Sequence, residues 1–331
     1  MKLSERIDVL KMLRQYLSDD VGPLKAVVQK AFEKNKWFTQ EFIDLSFKNI
    51  SEQFLDLAKL EEWISFYHID DNISPKKIGI VMAGNIPLVG FHDFLCVFVA
   101  GHHQHIKMSE KDEVLLTHLI EKMIEWNPKV ANVIKISSLL KDCDAYIATG
   151  SNNSSRYFHY YFGKYPSIIR KNKTSVAILK GNENPEQLSL LADDVHMYFG
   201  LGCRNVTKIY VPENYDFVPL LNAFRKYSYF SDETKYKNNY DYTLALLIMN
   251  NKFYMTNETI VLVEDERLFS AVSELHYSYY NDINKVKEDL AQSEDIQCIV
   301  GEDFVPFGSS QTPSLFDYAD GVDVMQFLLS L

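Results

Sequence analysis

Cysteine is scarce in this chain, which has four among 331 residues and no pair at the CxxC spacing. The four residues, Cys96, Cys143, Cys203 and Cys298, lie far apart in the sequence. This distribution suggests neither a zinc knuckle nor a disulfide framework. We therefore expect no bound metal and a protein whose thiols stay reduced.

Long apolar runs and a signal-peptide core are lacking as well. The most apolar stretch, Ile78–Ala100, is interrupted by four residues: Asn85, Pro87, His92 and Asp93. Such interruptions favour a buried strand, a loop and a helix over a membrane span. Residues 1–6 also lack an apolar core, so we expect a cytoplasmic protein.

Positive charge is in deficit. The chain has 34 Lys and Arg against 45 Asp and Glu, a net charge of −11. Because a nucleic-acid surface needs a basic face, this balance argues against a nucleic-acid partner, although a local basic pocket could still hold a phosphorylated cofactor. A hydrophobic content of 47% is ordinary for a soluble globular protein, and the length predicts about two domains.

Helical spacing dominates the first 70 residues. It predicts helices over Leu3–Leu17 and Leu24–Phe32, with Gly22-Pro23 as a break between them. A further helical pattern covers Thr39–Tyr67 and is interrupted near Asn49. No residue pattern in this segment points to chemistry, so we predict a scaffold.

Strands and helices alternate from Lys77 onward. In a first α/β region we predict strands at Ile78–Ala83, up to Lys107, at Val133–Ile136 and at Asp144–Ala148, with helices at Leu88–Ala100, Ser109–Trp126 and Asn152–Phe162. This alternation indicates a mostly parallel sheet covered on both faces. Ligands bind at the carboxyl ends of the strands in such sheets.

A second α/β region runs from about Lys173 to Val300. We predict strands at Ser175–Leu179, Val206–Val211, Thr259–Val263 and Ile296–Ile299, with helices at Pro185–Phe199, Phe217–Lys226, Glu266–Glu274 and Asn284–Gln292. The tyrosine-rich stretch Tyr227–Tyr242 is predicted to be a surface loop.

Three polar motifs follow predicted strands of the first region: Gly84-Asn85-Ile86-Pro87, Lys107-Met108-Ser109-Glu110 and Thr149-Gly150-Ser151. Asn85 has an ordinary interpretation as a turn residue, and Ser109 has one as a helix cap. The functional alternative is a ligand at this edge of the sheet. There, free amides of Gly150 and Ser151 at a helix start would face a diphosphate.

Cys203 stands at a predicted sharp turn. An amphipathic run from Gln187 to Phe199 precedes it, and the predicted strand Val206–Val211 follows at once. The glycines before Cys203 let the main chain approach a bound molecule and leave the Cys203 amide free to donate. The alternative is a buried cysteine that behaves as a small apolar residue.

Taken in order, these four motifs resemble those of the aldehyde dehydrogenase superfamily. They look most like its acyl-CoA reductase branch, typified by the fatty-acid reductase of bacterial bioluminescence. The similarity covers Ile78–Val211, with Pro306-Phe307-Gly308 as a weaker match. It implies an aldehyde dehydrogenase-like α/β fold with four parts: a helical N-terminal segment packed on the cofactor domain (1–70), a Rossmann-type nicotinamide cofactor domain (71–172), an α/β catalytic domain (173–300) and a C-terminal segment returning to the domain interface (301–331).

The resemblance also implies residue roles. Cys203 would carry the acyl group as a thioester, while its own amide and the Asn85 side chain hold the oxyanion. Lys107 would reach the adenosine ribose or a 2′-phosphate. The other implied cofactor-binding residues are Ser109, Gly150 and Ser151. The implied cofactor is NADPH, with NADH as the alternative. The implied partner is acyl-CoA or another acyl thioester, and assembly into a homo-oligomer stays open.

The chain departs from the family pattern at three points. Met108 stands where the family usually has proline, and the acidic residue that grips the nicotinamide ribose has no evident counterpart. Residues 167–172 lack the general-base glutamate of the hydrolytic enzymes. Because a deacylating water needs such a base, we expect acyl exchange with a thiol instead of acid formation. The alternatives are a CoA-acylating aldehyde dehydrogenase, an acyl-protein reductase, or a non-catalytic relative that binds nucleotide or acyl chains.

The histidines receive no catalytic role from the sequence. His102, His103 and His105 fall within four positions, but no carboxylate or cysteine pattern accompanies them, so a polar turn before a strand is favoured over a metal site. His196, seven residues before Cys203, is open to three interpretations: a core residue, a surface residue or an acid–base helper.

Overall fold

The computed structural model describes residues 1–19 and 22–331. These residues form two compact units. Unit 1 comprises Met1–Asn172 together with Pro313–Leu331, and unit 2 comprises Lys173–Thr312. The segment predicted over 301–331 is therefore divided between the two units, at Thr312.

Unit 1 opens with four helices: α1 (Leu3–Ser18), α2 (Gly22–Lys34), α3 (Gln40–Asn49) and α4 (Leu57–Phe66). α1 buries one stripe, whose positions are Arg6, Val9, Leu10, Leu13 and Leu17. The interruption predicted near Asn49 is a π-helical turn, Ile50–Phe54, that follows α3 directly. α4 then begins because the Asp56 side chain accepts the amides of Ala58 and Lys59.

A five-stranded parallel sheet forms the rest of unit 1. Its strands are β1 (Lys77–Val81), β2 (His103–Lys107), β3 (Ile134–Ile136), β4 (Ala145–Thr149) and β5 (Ser167–Arg170). Their order is β3-β2-β1-β4-β5. The helices of this part are α5 (Phe91–Ala100), α6 (Glu113–Trp126) and α7 (Asn152–Phe162). The predicted alternation of strands and helices is confirmed, whereas β5 is a strand that the pattern did not identify.

The centre of this sheet explains why its strands read as continuous apolar runs. The middle three residues of β1 and the first four of β4 are buried, as expected for strands covered on both faces. α5 is buried at every position from Phe94 to Ala100. A final helix, α12 (Val324–Leu329), packs against α5. None of the described helices is both long enough and apolar enough to cross a membrane.

Unit 2 contains a six-stranded sheet. Its strands are β6 (Thr174–Ile178), β7 (Val206–Pro212), β8 (Met255–Thr256), β9 (Val261–Glu264), β10 (Glu274–Tyr280) and β11 (Ile296–Val300). Their order is β11-β6-β7-β10-β9-β8, and every pairing is parallel except that of β8 with β9. The helices are α8 (Pro185–His196), α9 (Phe217–Phe224), α10 (Thr234–Met249) and α11 (Ile283–Ala291).

The prediction of a surface loop over the tyrosine-rich stretch Tyr227–Tyr242 is wrong. It contains the end of a 3₁₀ segment, Arg225–Asp232, and the start of α10. Four of its rings are buried: Tyr227, Phe230, Tyr236 and Tyr240. The Phe230 and Tyr236 rings meet edge to face, with centroids 4.9 Å apart. Packing of these rings against one another stabilises the helix. This stabilisation outweighs the preference of the polar residues between them for a loop.

The helix predicted over Glu266–Glu274 is also wrong, because this stretch is a loop that leads into β10. Two side chains of β7 donate to carbonyl groups of this loop and of the residue before it. Lys208 Nζ donates to the Asp265 carbonyl at 2.9 Å, and Thr207 Oγ1 donates to the Leu268 carbonyl at 2.7 Å. These bonds satisfy carbonyls that a helix would use internally, so the loop is the better solution.

Candidate active site

The three polar motifs of unit 1 lie at one edge of its sheet. β2, β1 and β4 are adjacent and parallel, and the register pairs Val81 with Lys107 and with Ala148. Each motif begins where one of these strands ends. The structure therefore places Asn85 and Lys107, both exposed, and the start of α7 at the carboxyl edge, where α/β sheets bind ligands.

Gly84 is required by the contact between the first two motifs. A Cβ atom at Gly84 would lie 2.5 Å from Ser109 Oγ and 2.6 Å from Ser109 Cβ. A side chain at position 84 would thus push the two loops apart. Ser109, predicted as a helix cap or a cofactor ligand, packs on Gly84, and its Oγ accepts the Lys111 amide at 3.3 Å. α6 begins only at Glu113.

Asp112 fixes the backbone that directly follows the first motif, a role that the sequence did not indicate. Its Oδ2 accepts the Leu88 amide at 2.8 Å, and Leu88 has a left-handed backbone with φ of 56°. Burial raises the pKa of Asp112 well above its usual value, although amide donors act in the opposite direction. Asp112 occupies the N-cap position of α6 but caps nothing there. An acidic residue before a helix indicates only a cap, so the sequence carries no signal for this contact.

The third motif joins β4 to α7 as predicted. Ser151 is the N-cap, and its Oγ accepts the Ser154 amide at 3.2 Å. A Cβ atom at Gly150 would lie 2.8 Å from the Phe158 ring, so only glycine allows this close packing of strand and helix. The prediction of a free Gly150 amide is wrong, because this amide donates to the Arg170 carbonyl at 3.3 Å. The positive end of the α7 dipole remains at this edge.

A buried ion pair fixes the strands behind these loops. Arg170, at the end of β5, is only 3% exposed and donates from both terminal nitrogens to Asp93, at 2.5 and 3.0 Å. Asp93 lies in the first turn of α5. The pair ties β5 to the start of the helix that follows the Asn85 loop, and its two parallel bonds set a single geometry.

Cys203 in unit 2 follows a turn of unusual backbone conformation. Tyr198, Phe199 and Gly200 are left-handed in succession, with φ of 55°, 57° and 73°. Only Gly200 adopts this conformation without strain, because the other two have a Cβ atom. The Phe199 ring packs on Phe230 with centroids 4.6 Å apart, which helps to hold the turn.

Asn205 holds this turn together, and it is the second residue that sequence reasoning missed. Its Nδ2 donates to the Met197 carbonyl at 2.8 Å and to the Asp194 carbonyl at 3.1 Å. Its Oδ1 accepts the Gly202 amide at 2.8 Å. The side chain is fully buried, so these bonds fix the end of α8 and the residue before Cys203. An asparagine before a strand indicates a turn, but not this set of partners.

Exposure separates Cys203 from two of the other cysteines. Cys96 and Cys143 are buried, whereas Cys203 and Cys298 are partly exposed. Ser175 Oγ, on β6, lies 3.0 Å from the Cys203 carbonyl, to which it donates, and 3.1 Å from Cys298 Sγ. Burial raises the pKa of the Cys298 thiol. Cys203 is therefore not the fully buried apolar residue of the alternative interpretation.

The Pro306-Phe307-Gly308 segment lies against α8, the helix that leads into the turn. Asp194 is fully buried, and its two oxygens accept the amides of Gly308 at 2.7 Å and Ser310 at 3.0 Å. Burial raises the pKa of this carboxyl. Gly308 is left-handed, and a Cβ atom there would lie 2.7 Å from Leu190. The weaker sequence match thus marks a segment fixed to the same helix as the Cys203 turn.

His196 is a core residue, which settles its three interpretations. It is 1% exposed and stacks on Tyr227 with ring centroids 4.7 Å apart. Its Nδ1 donates to the Ala192 carbonyl at 2.8 Å, while its Nε2 is buried and has no hydrogen-bond partner among the described residues. Burial lowers the pKa of His196 to about 4.

This lowered pKa predicts a loss of stability in mild acid. The unfolded chain binds a proton on His196 near pH 6.5, whereas the folded chain does not until about pH 4. Protonation therefore favours unfolding as the pH falls through this window, by about 2 kcal/mol between pH 7 and pH 5. Urea unfolding of the parent and of His196→Phe at both pH values measures the effect. The variant should lose less stability on acidification, and an equal loss in both proteins would contradict the prediction.

The predicted polar turn before the strand is wrong for two of the three histidines near β2. His102 is buried, and His103 and His105 belong to β2 itself. Across residues 1–19 and 22–331, no three His, Cys, Asp or Glu side chains come together as potential metal ligands.

The site residues named from the sequence thus fall into two groups. The structure brings Asn85, Lys107, Ser109, Gly150 and Ser151 to one edge of the unit 1 sheet. Cys203 belongs to unit 2, on a turn fixed by Asn205.

The sequence matches no family model and no curated protein. Its fold, however, is similar to those of solved structures. A putative aldehyde dehydrogenase from Anabaena variabilis aligns with a TM-score of 0.65 and 14% identity, over 94% of this chain and 78% of that one. The NAD⁺ complex of an aldehyde dehydrogenase from Bacillus cereus aligns with a TM-score of 0.62 and 11% identity, over 89% and 70%.

A third similar structure is a Mycobacterium tuberculosis aldehyde dehydrogenase complexed with NAD⁺. It has a TM-score of 0.61 and 13% identity, over 91% of this chain and 73% of that one. Likeness at such low identity establishes the fold alone. The predicted fold class is confirmed: this chain has an aldehyde dehydrogenase-like fold.

Proposed function

We propose that this chain is an acyl-CoA reductase that converts an acyl thioester to an aldehyde with NADPH. The observation that carries the proposal is the partly exposed thiol of Cys203, on a left-handed turn that Asn205 holds, in an aldehyde dehydrogenase-like fold. A turn of this kind stores strain, and such strain is found where a side chain must be presented to a ligand.

Cys203 is the nucleophile of the proposed reaction. Its thiolate attacks the acyl carbonyl, a carbon–sulfur bond forms, and the bond to coenzyme A breaks so that the CoA thiolate leaves. The Cys203 amide is the proposed donor to the oxyanion, and one such donor contributes about 3–4 kcal/mol in other enzymes. The resemblance assigns a second donor of this kind to the Asn85 side chain. The thiohemiacetal that forms on reduction collapses, which releases aldehyde and returns the Cys203 thiolate.

The carboxyl edge of the unit 1 sheet fits a nicotinamide dinucleotide. Lys107 is an exposed cation at the end of β2, suited to the ribose or to a 2′-phosphate. The start of α7 at Ser151 offers its dipole to a diphosphate, and Gly84 and Ser109 keep the neighbouring loops close. When bound, NADPH supplies the hydride that reduces the thioester.

The missing base favours exchange with a thiol over hydrolysis. β5 and the two residues after it carry no carboxylate. Arg170, at the end of β5, forms an ion pair with Asp93. A water molecule on the acyl-enzyme would therefore find no base from this segment. The CoA-acylating reaction uses the same groups in reverse, and comparing the rate with aldehyde, NADP⁺ and CoA against that with acyl-CoA and NADPH separates the two directions.

Adduct mapping tests this function directly. The purified protein is incubated with acyl-CoAs of graded chain length without NADPH, and its peptides are analysed by mass spectrometry. We expect an acyl group on the Cys203 peptide and release of free CoA, with Cys298, the other partly exposed thiol, as the internal control. Adding NADPH should then discharge the adduct as aldehyde.

Two outcomes would contradict the proposal. A folded protein with no Cys203 adduct across the series would favour a non-catalytic binding protein. An adduct that forms from aldehyde and NAD⁺ and discharges as a carboxylic acid would identify a hydrolytic aldehyde dehydrogenase instead.

A further inference from the structure

One cavity of unit 1 lies at the opposite edge of its sheet from the candidate cofactor site. Its volume is about 320 Å³, and His103, the first residue of β2, is part of its wall. The walls are apolar at Ile73, Phe98 and Val133, and polar at Lys2, Arg6 and Asp71. The motif loops follow the carboxyl ends of these parallel strands, so this cavity, at an amino end, is a separate place in the fold.

Arg6 is the distinctive group of this cavity. It projects from the buried stripe of α1, and its side chain is only 4% exposed. Nη1 donates to the Met1 carbonyl at 3.2 Å and packs on Gly101, where a Cβ atom would lie 2.3 Å away. The other two nitrogens, Nε and Nη2, are buried without a hydrogen-bond partner among the described residues.

These two nitrogens form one edge of the guanidinium. Their N–H groups point in the same direction, which is the two-donor fork that pairs with the two oxygens of a carboxylate. Leaving a buried cation without such bonds is costly, and burial lowers the pKa of Arg6 accordingly. The only described carboxylate in ion-pair range is that of Asp71, which lies 3.9 Å from Nη2, too far for a hydrogen bond.

The surroundings favour an anion. Asp71 is already engaged at the start of α1, where its Oδ1 accepts the Leu3 amide at 2.5 Å. Lys2 and His103 add an ammonium group and an imidazole to the wall. His102 is neutral in the wall, since its Nδ1 accepts the Lys76 amide and its Nε2 donates to the Leu328 carbonyl. In a chain of net charge −11, this is a local excess of positive charge.

We propose that this cavity binds a small organic acid. The carboxylate pairs with the fork of Arg6, and the apolar part of the acid lies against Phe98, Ile73 and Val133. A cavity of this size accommodates a small ligand, and a mixed wall with one charged anchor is typical of such sites. Both fork nitrogens are buried in the structure, so binding requires a local rearrangement that uncovers them. The half-exposed Asp71 carboxylate is the charge that lies near them, 3.9 Å from Nη2. Asp71 therefore competes with the ligand for Arg6.

Calorimetric titration with hexanoate tests the proposal, with uncharged hexanamide as the matched ligand and inorganic phosphate as a second anion. NADPH is kept saturating, so that the cofactor site does not contribute. We expect saturable hexanoate binding, none with hexanamide, and weaker binding of phosphate, which has no apolar part. Tighter binding of phosphate than of hexanoate would contradict the organic-acid assignment.

Three variants distinguish the contribution of the two-donor fork of Arg6 to hexanoate affinity from the contribution of its positive charge. Arg6→Met removes the anchor and should lower hexanoate affinity at least about tenfold, and Arg6→Lys, which keeps the charge but loses the fork, should lower it severalfold. Asp71→Asn keeps an acceptor for the Leu3 amide but removes the competing charge, so its affinity should rise severalfold.

The Asp71→Asn measurement keeps the proposal testable even if the Arg6 variants unfold. No saturable binding in the parent and in Asp71→Asn would overturn the assignment, as would unchanged affinity in folded Arg6→Met. The readout is binding and not catalysis, so it stands or falls independently of the acyl-CoA reductase proposal.

Discussion

Replacing Cys203 with alanine is expected to lower acyl-CoA-dependent NADPH oxidation at least about a thousandfold. Loss of a nucleophile removes the covalent route altogether, and the activity that remains in such variants of other enzymes comes from binding and oxyanion stabilisation alone. The measurement is kcat/KM for acyl-CoA in the parent and in the variant. Since Cys203 is partly exposed and only one sulfur atom is lost, the unfolding midpoint should change little.

Cys143→Ala is the matched control for this prediction. It removes the same atom from a buried cysteine of unit 1, whereas Cys203 belongs to unit 2, and should keep most of the parental kcat/KM. A Cys203→Ala protein that turns over acyl-CoA as fast as the parent would eliminate the proposed acyl-enzyme. Equal losses in both variants would point to a general effect of thiol removal.

Asn205→Ala is expected to lower the free energy of unfolding by about 2–4 kcal/mol. The change leaves the Gly202 amide and the Met197 and Asp194 carbonyls without their buried partner. Because the left-handed turn before Cys203 loses its main support, kcat should also fall strongly while the protein remains folded. Urea unfolding and steady-state kinetics on the same preparation measure the two effects.

The exposed Asn238 of α10 offers a control of identical chemistry. Asn238→Ala should change the free energy of unfolding by no more than about 0.5 kcal/mol and leave kcat unaltered, since it touches no buried network. If Asn205→Ala keeps the parental kcat despite a clear loss of stability, the turn is merely structural. In that case Asn205 is not a positioning residue for Cys203.

The arrangement of strands and helices was predictable because its signals are local. Buried strands such as β1 and β4 read as short apolar runs, and the loops after β1, β2 and β4 carry polar motifs at the edge where parallel sheets bind ligands. The turn before Cys203 was marked by its glycines. These features depend on residues within a few positions of one another, so one sequence suffices.

The supports of the site were not predictable because their partners are distant. Asp112 bonds the amide of Leu88, 24 positions away, and Asp194 bonds the amide of Gly308, 114 positions away. The loop predicted over Tyr227–Tyr242 is wrong for a similar reason. Its polar residues suggest a loop, but its aromatic rings become buried in the folded unit. A tertiary contact here outweighs the local preference.

The division of unit 1 into two stretches of chain has a consequence for biosynthesis. Its apolar core includes Leu315, Tyr318, Met325 and Leu328, which the ribosome adds only after all of residues 173–312. Unit 2 can therefore complete its core first, although its sequence comes later than most of unit 1. Until residues 313–331 emerge, the nascent chain leaves uncovered the face of α5 against which α12 packs in the folded unit.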